Sequence, residues 1–186
     1  VVGDALVHRE ERGVLRRDQE LVDVAGEAVP RAHVGDDAVR IVDDDVAVQN
    51  STYTVGRRGV AGNFFVIKAV AAAAEEGASL DQLMDLGQRV NAATRSMGMA
   101  LSGCTPPAKG TPIFSLADNE MEMGVGIHGE PGRARKPFVS ANEIVDEVVE
   151  AIFSDRKPTD GGGTAEPAFK SGDEVALMVN GLGGTP

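Results

Sequence analysis

The stretch Glu120-Met-Glu-Met-Gly-Val-Gly-Ile-His-Gly-Glu-Pro-Gly132 carries the pattern around which the rest of the fold is predicted. Apolar side chains alternate with acidic residues or glycine along 120–127, which is the period of a strand with one buried face. His128 falls on the open side of that strand, where a glycine-rich turn begins. A lone histidine at a strand end is most often a hydrogen-bonded structural residue. The glycines on both sides of it favour a ligand-binding role, because they cost backbone entropy unless a close approach or an unusual dihedral is needed.

The composition excludes several classes of partner. The 186 residues include 18 basic and 29 acidic side chains, and the formal net charge of -11 argues against a site for a phosphate backbone. Nucleic acid and anionic membrane are therefore not expected as partners. The single Cys104 cannot form an internal disulfide, and no apolar run is long enough to span a bilayer. We therefore expect a soluble, cytoplasmic protein.

Residues 1–40 differ from the rest of the chain. They mix Val, Arg, Asp, Gly and Ala without a helical or strand period, so we expect poor order there and a partial folded domain over 41–186. His8 and His33 lie in this first segment and are expected to be solvated. The cluster Asp43-Asp44-Asp45 lacks the alternating ligands and central glycine of a calcium loop, so we expect a solvated charge run.

Two consecutive helices are predicted after the segment Gly56-Arg-Arg-Gly-Val-Ala-Gly62. That segment is similar to an anion-binding loop because glycines and arginines precede a helix start, but it lacks the phosphate-loop pattern. Its arginines are equally compatible with a surface position. Residues 63–76 are apolar almost all round, which predicts a helix buried on most sides. Ser79 and Gln82 form a capping box for a second helix that runs to about Arg95.

The second half of the chain predicts two further strands and one further helix. Residues 96–103 are typical of a buried strand, whereas the three prolines of 104–112 exclude a helix or a central strand there. A capping box at Ser140 starts a helix that ends near Ser154, and residues 174–179 predict a final strand. Interleaved helices and strands favour the α/β class, as a layered mixed sheet with flanking helices.

Four segments resemble, in the same order, successive parts of the substrate-binding subunit of dihydroxyacetone kinase. They are Gly56-Arg-Arg-Gly-Val-Ala-Gly62, Gln88-Arg-Val-Asn-Ala-Ala-Thr-Arg-Ser-Met-Gly-Met-Ala-Leu-Ser-Gly-Cys-Thr105, the stretch 120–132 quoted above, and Asn180-Gly-Leu-Gly-Gly-Thr-Pro186. The resemblance covers roughly residues 42–186. Four blocks in the family's order make it far more specific than any one of them alone, and it implies an incomplete second domain of such a subunit.

The resemblance implies a function centred on His128. In that family the histidine of the Gly-Ile-His-Gly-Glu-Pro-Gly block adds through a ring nitrogen to the carbonyl carbon of dihydroxyacetone, and the product is a covalent hemiaminal. A neutral imidazole is a competent nucleophile toward a ketone, and the covalent step rejects glycerol, which has no carbonyl. His128 is therefore expected to be both the substrate-binding and the catalytic residue of a glycerone kinase, a phosphotransferase of glycerol metabolism.

The resemblance also implies partners. In the family the phosphoryl donor is carried by a separate nucleotide-binding subunit or domain, as ATP with magnesium or as a nucleotide that a phosphotransferase relay phosphorylates again. We expect this chain to bind no nucleotide or metal directly. Family members usually pair as homodimers, and a homodimer is the expectation here.

Two blocks of the family have no counterpart in this sequence. One is Gly-Gly-Ser-Gly-His-Glu-Pro, which helps to build the pocket, and the other is Asn-Tyr-Thr-Gly-Asp, whose aspartate is the general base. The chain is thus expected to be an incomplete part of a subunit fronted by a foreign segment, and to turn over slowly or not at all alone. The alternatives are a non-catalytic coactivator or ligand sensor, an inactive fragment, and a metal-assisted hydrolase built on His128, Glu120 and Glu122. The hydrolase is the weakest of these, because one histidine and two carboxylates are a thin ligand set.

Overall fold

The fold combines short strands with three helices. The computed structural model describes residues 13–14, 39–49, 56–157, 166–181 and 185. In chain order its elements are β1 (Gly13–Val14), β2 (Val39–Arg40), α1 (Ala61–Glu75), α2 (Leu80–Ala92), β3 (Met99–Ala100), β4 (Glu120–Met123), β5 (Ala134–Pro137) and α3 (Ala141–Ser154). Strands β3, β4 and β5 form one antiparallel sheet in that order, and β1 pairs antiparallel with β2. The predicted α/β class is confirmed.

Strand β4 lies at the centre of the three-stranded sheet. Met121 and Met123 on one of its faces are fully buried, as the alternation predicts. Glu122 on the other face is also buried, because its carboxylate accepts a hydrogen bond from the Gly132 amide at 2.8 Å and lies 3.5 Å from the Arg135 guanidinium. The strand is therefore buried on both faces. It ends at Met123 because Gly124 takes a φ of +76°, a left-handed conformation that side chains other than glycine rarely adopt.

Both predicted capping boxes are present. The Ser79 hydroxyl accepts from the Gln82 amide while the Gln82 side chain accepts from the Ser79 amide, and α2 begins at the next residue. Ser140 and Glu143 make the same pair of bonds ahead of α3. Helix α3 ends at Ser154 as predicted, whereas α2 ends three residues before the predicted Arg95.

Helix α1 is present, but the prediction that it is buried on most sides is wrong for the part of the chain that the structure describes. Of its described residues only Gly62 is buried, and the Phe64 side chain is 53% exposed. Helix α2 packs against one face of α1, where Gly87 lies close to Val66 and Val70. No other described element covers the opposite face, so the apolar residues there stay open.

Two predicted strands are corrected. The strand expected over 96–103 is reduced to Met99–Ala100, and Ser96 instead forms an isolated parallel bridge to Asp45. Residues 174–179 form no strand, and Leu177 is 85% exposed. A strand needs a neighbouring strand to satisfy its backbone groups, and no described residue hydrogen bonds to the backbone of 174–179.

Most of the first segment lies outside the described residues, and so do His8 and His33. Within it, Gly13 pairs with Arg40 and Val14 with Val39 in β1 and β2. Residues 158–165 also lie outside the described part, and the fourth sequence block is described only at 180–181 and 185. None of the described helices is long and apolar enough to cross a membrane.

Candidate functional site

The candidate site is the turn that joins β4 to β5, which we call the His128 turn and define as residues 124–132. Its two ends are held together where the Arg133 amide donates to the Met123 carbonyl at 2.7 Å. Inside it the Gly126 amide donates to the Glu130 carbonyl at 2.9 Å, and the Gly129 amide donates to the Gly126 carbonyl at 3.0 Å. These bonds fold residues 126–130 into a tight loop with His128 at its tip.

The imidazole of His128 is open to solvent on one side and held on the other. Its side chain is 48% exposed, and Nδ1 lies 2.9 Å from Oε1 of Glu130. The other oxygen of the same carboxylate, Oε2, accepts a hydrogen bond from the His128 amide at 2.9 Å. Among the described residues, no hydrogen-bond partner of Nε2 is found. One ring nitrogen is therefore engaged and the other is available.

The protonation of Glu130 decides which ring nitrogen carries the proton. Burial raises the pKa of this carboxyl, but the hydrogen bonds from the His128 ring and from the backbone amides lower it more, and the net pKa lies below the usual value. Glu130 is therefore ionised at neutral pH, and an ionised carboxylate can only accept. In the neutral imidazole Nδ1 must then carry the proton and donate it, which leaves a lone pair on Nε2.

The glycines of the His128 turn have a different role from the one predicted. The sequence indicates a ligand-binding role for them, through a close approach or an unusual dihedral. A Cβ on Gly126 would lie 2.1 Å from Oε2 of Glu130, and one on Gly132 would lie 2.2 Å from the Met123 carbonyl oxygen. The glycines therefore allow the loop to close on itself and on the Glu130 carboxylate. The imidazole is exposed because it lies at the tip of that closed loop.

Arg58 joins the Gly56–Gly62 segment to the His128 turn. Its side chain is 6% exposed and pairs with Asp45 through Nε and Nη2, at 2.7 and 2.6 Å from Oδ2. Its remaining hydrogen bonds go to the carbonyl oxygens of Gly124, at 2.5 Å, and Pro131, at 3.2 Å. Burial raises the pKa of Asp45, and hydrogen bonds from the Ala47 amide and from Arg58 oppose that rise. The surface position considered for Arg58 is excluded.

The cluster Asp43-Asp44-Asp45 is not the solvated charge run that was predicted. Asp44 is fully buried, and its carboxylate accepts from the Val60 and Gly62 amides at the start of α1, both at 2.9 Å. It also accepts a short hydrogen bond from the Ser96 hydroxyl. The amides at a helix start favour an anion. In this chain the anion beside the Gly56–Gly62 segment is an internal carboxylate.

Arg57, the other arginine of that segment, is also buried, and its described hydrogen bonds go to residues outside the His128 turn. Its guanidinium makes two bonds to the Asp155 carboxylate, at 2.6 and 2.9 Å, and two to the Gln49 side chain. Arg95 shares the same carboxylate at 2.6 Å. Burial raises the pKa of Asp155, but the hydrogen bonds from the two arginines lower it more, so that it lies below the usual range. This cluster ties the end of α3 to the loops before α1 and β3.

The structure gives no support to the metal-assisted hydrolase. The Glu120 carboxylate accepts from the Ala117 amide, and Glu122 is engaged by Gly132 and Arg135. No group of three His, Cys, Asp or Glu side chains that could hold a metal ion occurs among the described residues.

The first two sequence blocks contact the His128 turn, which belongs to the third, and the fourth block contacts the second. The first block reaches it through Arg58. The second contributes β3 and the Gly98 carbonyl, which accepts from the Gly124 amide at 2.6 Å. Thr185 of the fourth block accepts from the Leu101 amide of the second at 2.9 Å. Segments far apart in sequence thus contact one turn. Glu130 was not singled out from the sequence, although a carboxylate two residues after a glycine-flanked histidine was a usable signal.

Comparison with known proteins shows the family to which the chain belongs. The chain matches the Dak1 domain family over residues 22–186. It is 46% identical over 160 residues to the PEP-dependent dihydroxyacetone kinase, dihydroxyacetone-binding subunit DhaK, of Escherichia coli, with 78% of this chain and 45% of that protein covered. It is also 46% identical over 146 residues to the corresponding subunit of a PTS-dependent dihydroxyacetone kinase of Listeria innocua, covering 41% of it. The chain thus spans less than half the length of these relatives.

The chain is also similar to solved structures of a dihydroxyacetone kinase and of a co-activator of such a kinase's operon. The dihydroxyacetone kinase of C. freundii in complex with AMP-PNP and Mg2+ is 30% identical, with a TM-score of 0.54 over 62% of this chain and 21% of that one. A dihydroxyacetone kinase operon co-activator, DhaQ, is 32% identical, with a TM-score of 0.50 over 59% of this chain and 33% of that one. One of these neighbours is a kinase and the other is a co-activator.

Proposed function

The chain belongs to the Dak1 domain family, and from that premise we propose that it is the dihydroxyacetone-binding component of a dihydroxyacetone kinase, with the ketone held covalently on His128. The observation that carries the proposal is the asymmetry of the imidazole. Nδ1 is bound to a carboxylate, whereas Nε2 has no hydrogen-bond partner among the described residues, at the exposed tip of a closed loop.

The proposed step is addition of a nitrogen to a carbonyl. The Nε2 lone pair attacks the carbonyl carbon, an N–C bond forms, and the π electrons of the C=O bond move to the oxygen. The ring is then an imidazolium whose Nδ1 proton points at the Glu130 carboxylate. The Nδ1 proton then moves through solvent to the alkoxide, which gives a neutral hemiaminal with no net gain or loss of protons. Glu130 stabilises the imidazolium as it forms and keeps the imidazole in the reactive tautomer.

Covalent capture accounts for the choice of substrate. Glycerol has the same terminal hydroxyl groups as dihydroxyacetone but lacks a carbonyl carbon for Nε2 to attack. A site that relies on hydrogen bonds alone would discriminate poorly between the two compounds, whereas a site that must form a bond rejects the polyol. The captured ketone presents a terminal hydroxyl as the acceptor of a phosphoryl group.

The phosphoryl donor is proposed to come from a partner. The C. freundii relative was solved with AMP-PNP and Mg2+, so ATP with magnesium on a nucleotide-binding subunit or domain is the donor we propose for this chain. A phosphorylated nucleotide renewed by a phosphotransferase relay is the other form, because the Escherichia coli relative is PEP-dependent. We further propose a homodimer in the cytoplasm.

The adduct is tested by carbon-13 NMR of dihydroxyacetone labelled at its carbonyl carbon. Wild-type protein is expected to shift a stoichiometric fraction of the signal from the ketone region to the region of tetrahedral carbons. His128→Ala should abolish that signal, and His33→Ala, which removes a different histidine, should keep it. A shifted signal of equal size in His128→Ala, or none in wild type, refutes the proposal.

A second candidate is a non-catalytic, ligand-sensing coactivator. The likeness to the co-activator DhaQ favours it, since that chain is as similar to this one as the kinase is. Because both candidates form the adduct, they are distinguished by whether phosphoryl transfer to the bound ketone occurs. The chain is mixed with a nucleotide-binding kinase subunit, ATP and Mg2+, and dihydroxyacetone phosphate is measured. Product that depends on His128 supports the kinase component and contradicts the coactivator, whereas an adduct without product fits both the coactivator and the incomplete kinase subunit that the two missing blocks imply.

A further inference from the structure

Two adjacent arginines of the Gly56–Gly62 segment are equally buried and make different contacts. Arg57 and Arg58 are 4% and 5% exposed. The side-chain bonds of Arg57 go to Asp155 and Gln49, and those of Arg58 go to Asp45 and to two backbone carbonyls of the His128 turn. A buried guanidinium needs its donors satisfied, and in Arg58 two of them are satisfied by the turn itself.

The two carbonyl groups lie on opposite arms of the turn. Gly124 directly follows β4, and Pro131 lies on the returning arm that leads to β5. Arg58 binds both, through Nη2 to Gly124 and Nη1 to Pro131, so that one planar group bridges the arms. Asp45 binds the same guanidinium through Nε and Nη2.

Gly126 connects this bridge to the imidazole. The position of a Cβ on Gly126 lies 2.9 Å from Nη1 of Arg58 and 2.1 Å from Oε2 of Glu130. The guanidinium and the carboxylate that holds His128 therefore pack against the same glycine. A change in how the arms are bridged must move Gly126, and with it the amide that binds the Glu130 carbonyl at 2.9 Å.

We propose that Arg58 is a positioning residue for His128, which acts by bridging the carbonyl groups of Gly124 and Pro131 and so fixes the loop in which Glu130 holds Nδ1. The proposal rests on the proposed function where it predicts adduct formation. It also predicts a property of the free protein, the tautomer of His128, which requires no ketone.

Lysine is the informative replacement. It keeps the charge for Asp45, but a single ammonium cannot match the planar fork that reaches a carboxylate and two carbonyls together. Arg57→Lys is the matched control, because it changes an adjacent arginine of equal burial that makes no bond to the turn. Both variants are expected to lose stability, so stability alone does not separate positioning from packing.

The first readout is nitrogen-15 NMR of the histidine ring in the free protein. Wild type and Arg57→Lys are expected to show His128 with Nδ1 protonated and Nε2 unprotonated in its neutral form, whereas Arg58→Lys should show a mixture of both tautomers. The second readout is the equilibrium constant of the carbon-13 adduct. It should fall about tenfold in Arg58→Lys, which corresponds to the loss of one charge-assisted hydrogen bond, and stay within about twofold of wild type in Arg57→Lys.

Each outcome has one meaning. Equal effects of the two lysine variants on both readouts, or no effect of Arg58→Lys on either, overturn the positioning role. Absence of an adduct in wild type refutes the proposed function, and the tautomer readout still decides on Arg58. If Arg58→Lys does not fold, Asp45→Asn is used, because it keeps the guanidinium and an acceptor oxygen for the Ala47 amide and removes the charge that anchors Arg58. It should shift the tautomer ratio in the same direction, and an unchanged ratio overturns the proposal.

Discussion

Replacing Asp155 by asparagine removes the only carboxylate that the described structure places between two buried arginines. The Arg57 guanidinium binds it at 2.6 and 2.9 Å, and Arg95 binds it at 2.6 Å. The side chains of both arginines are 4% exposed or less. The asparagine side chain of the variant would keep one acceptor oxygen and lose the charge, so two cations would remain buried with the neutral Gln49 amide beside one of them.

The size of the effect follows from burial. Breaking a buried ion pair from one side costs about 3–5 kcal/mol, because the remaining charge is left uncompensated. The retained acceptor puts Asp155→Asn at the lower end, about 3 kcal/mol. For a chain of this length that corresponds to a fall in Tm of about 6–12 °C.

The chain contains a matched exposed pair as the control. Arg89 and Asp85 lie four residues apart on α2 at 2.8 Å, and both side chains are 67% exposed. Pairs of this kind contribute about 0.3–0.5 kcal/mol. Urea denaturation of wild type, Asp155→Asn and Asp85→Asn, followed by circular dichroism, should therefore give one large and one small fall in the free energy of unfolding. Equal losses below about 1 kcal/mol would refute the assignment of Asp155 as the buried carboxylate that links Arg57 and Arg95.

Three further predictions concern other parts of the described structure. Gly132→Ala should cost about 3 kcal/mol or more, because a Cβ there meets the Met123 carbonyl oxygen at 2.2 Å. Gly110→Ala, at a φ of +67° with open space around it, should cost only about 1–2 kcal/mol, and comparable melting temperatures would contradict this. Asp44→Ala should cost about 2–4 kcal/mol, because two amides at the start of α1 lose their acceptor, and a loss under about 0.5 kcal/mol in urea denaturation would contradict it. The pKa of Asp155 is lowered on folding, so its contribution is complete above the unfolded value of 3.8 and is lost as pH falls through the lower folded value. The difference in the free energy of unfolding between wild type and Asp155→Asn should therefore shrink only as the pH falls below the unfolded pKa of 3.8 towards the lower folded pKa. A difference that already shrinks between pH 7 and 5, above both pKa values, would contradict this.

Local sequence signals predicted the helices well. The capping boxes at Ser79 and Ser140 each involve residues three apart, and both helices begin where those boxes place them. A local hydrogen bond needs no knowledge of the rest of the chain. The strand over 174–179 failed for the opposite reason, because a strand is fixed by its neighbour and no described segment pairs with it.

The buried charges could not be predicted from their local sequence. Asp44 and Asp45 stand in an acidic run, which on composition alone indicates a solvated surface. Apart from the Ala47 amide, two residues from Asp45, the partners of their side chains lie 13 to 52 residues away, and Arg58 reaches carbonyls 66 and 73 residues away. Long-range pairing of this kind makes a buried charge tolerable, and it shows only in the folded chain.

The candidate histidine was identified from the sequence, but its setting was not. His128 is exposed as the sequence indicates, but because it lies at the tip of the turn and not on a face of β4, and its glycines serve to close the loop. The pairing of Nδ1 with Glu130 and the bridge from Arg58 depend on the geometry of the turn. The glycine-rich turn at His128 could be predicted from the local sequence. The ring nitrogen that Glu130 engages could not, because it depends on how the turn folds.

The bond between His128 and the ketone is tested most directly by an isotope-edited NMR measurement. Protein labelled with nitrogen-15 in its histidine rings is mixed with dihydroxyacetone labelled with carbon-13 at the carbonyl carbon. A one-bond carbon–nitrogen coupling at Nε2 of His128 is predicted, with Nδ1 uncoupled and still beside Glu130. A coupling at Nδ1, or no coupling at any histidine under saturating ketone, would contradict a covalent anchor at Nε2.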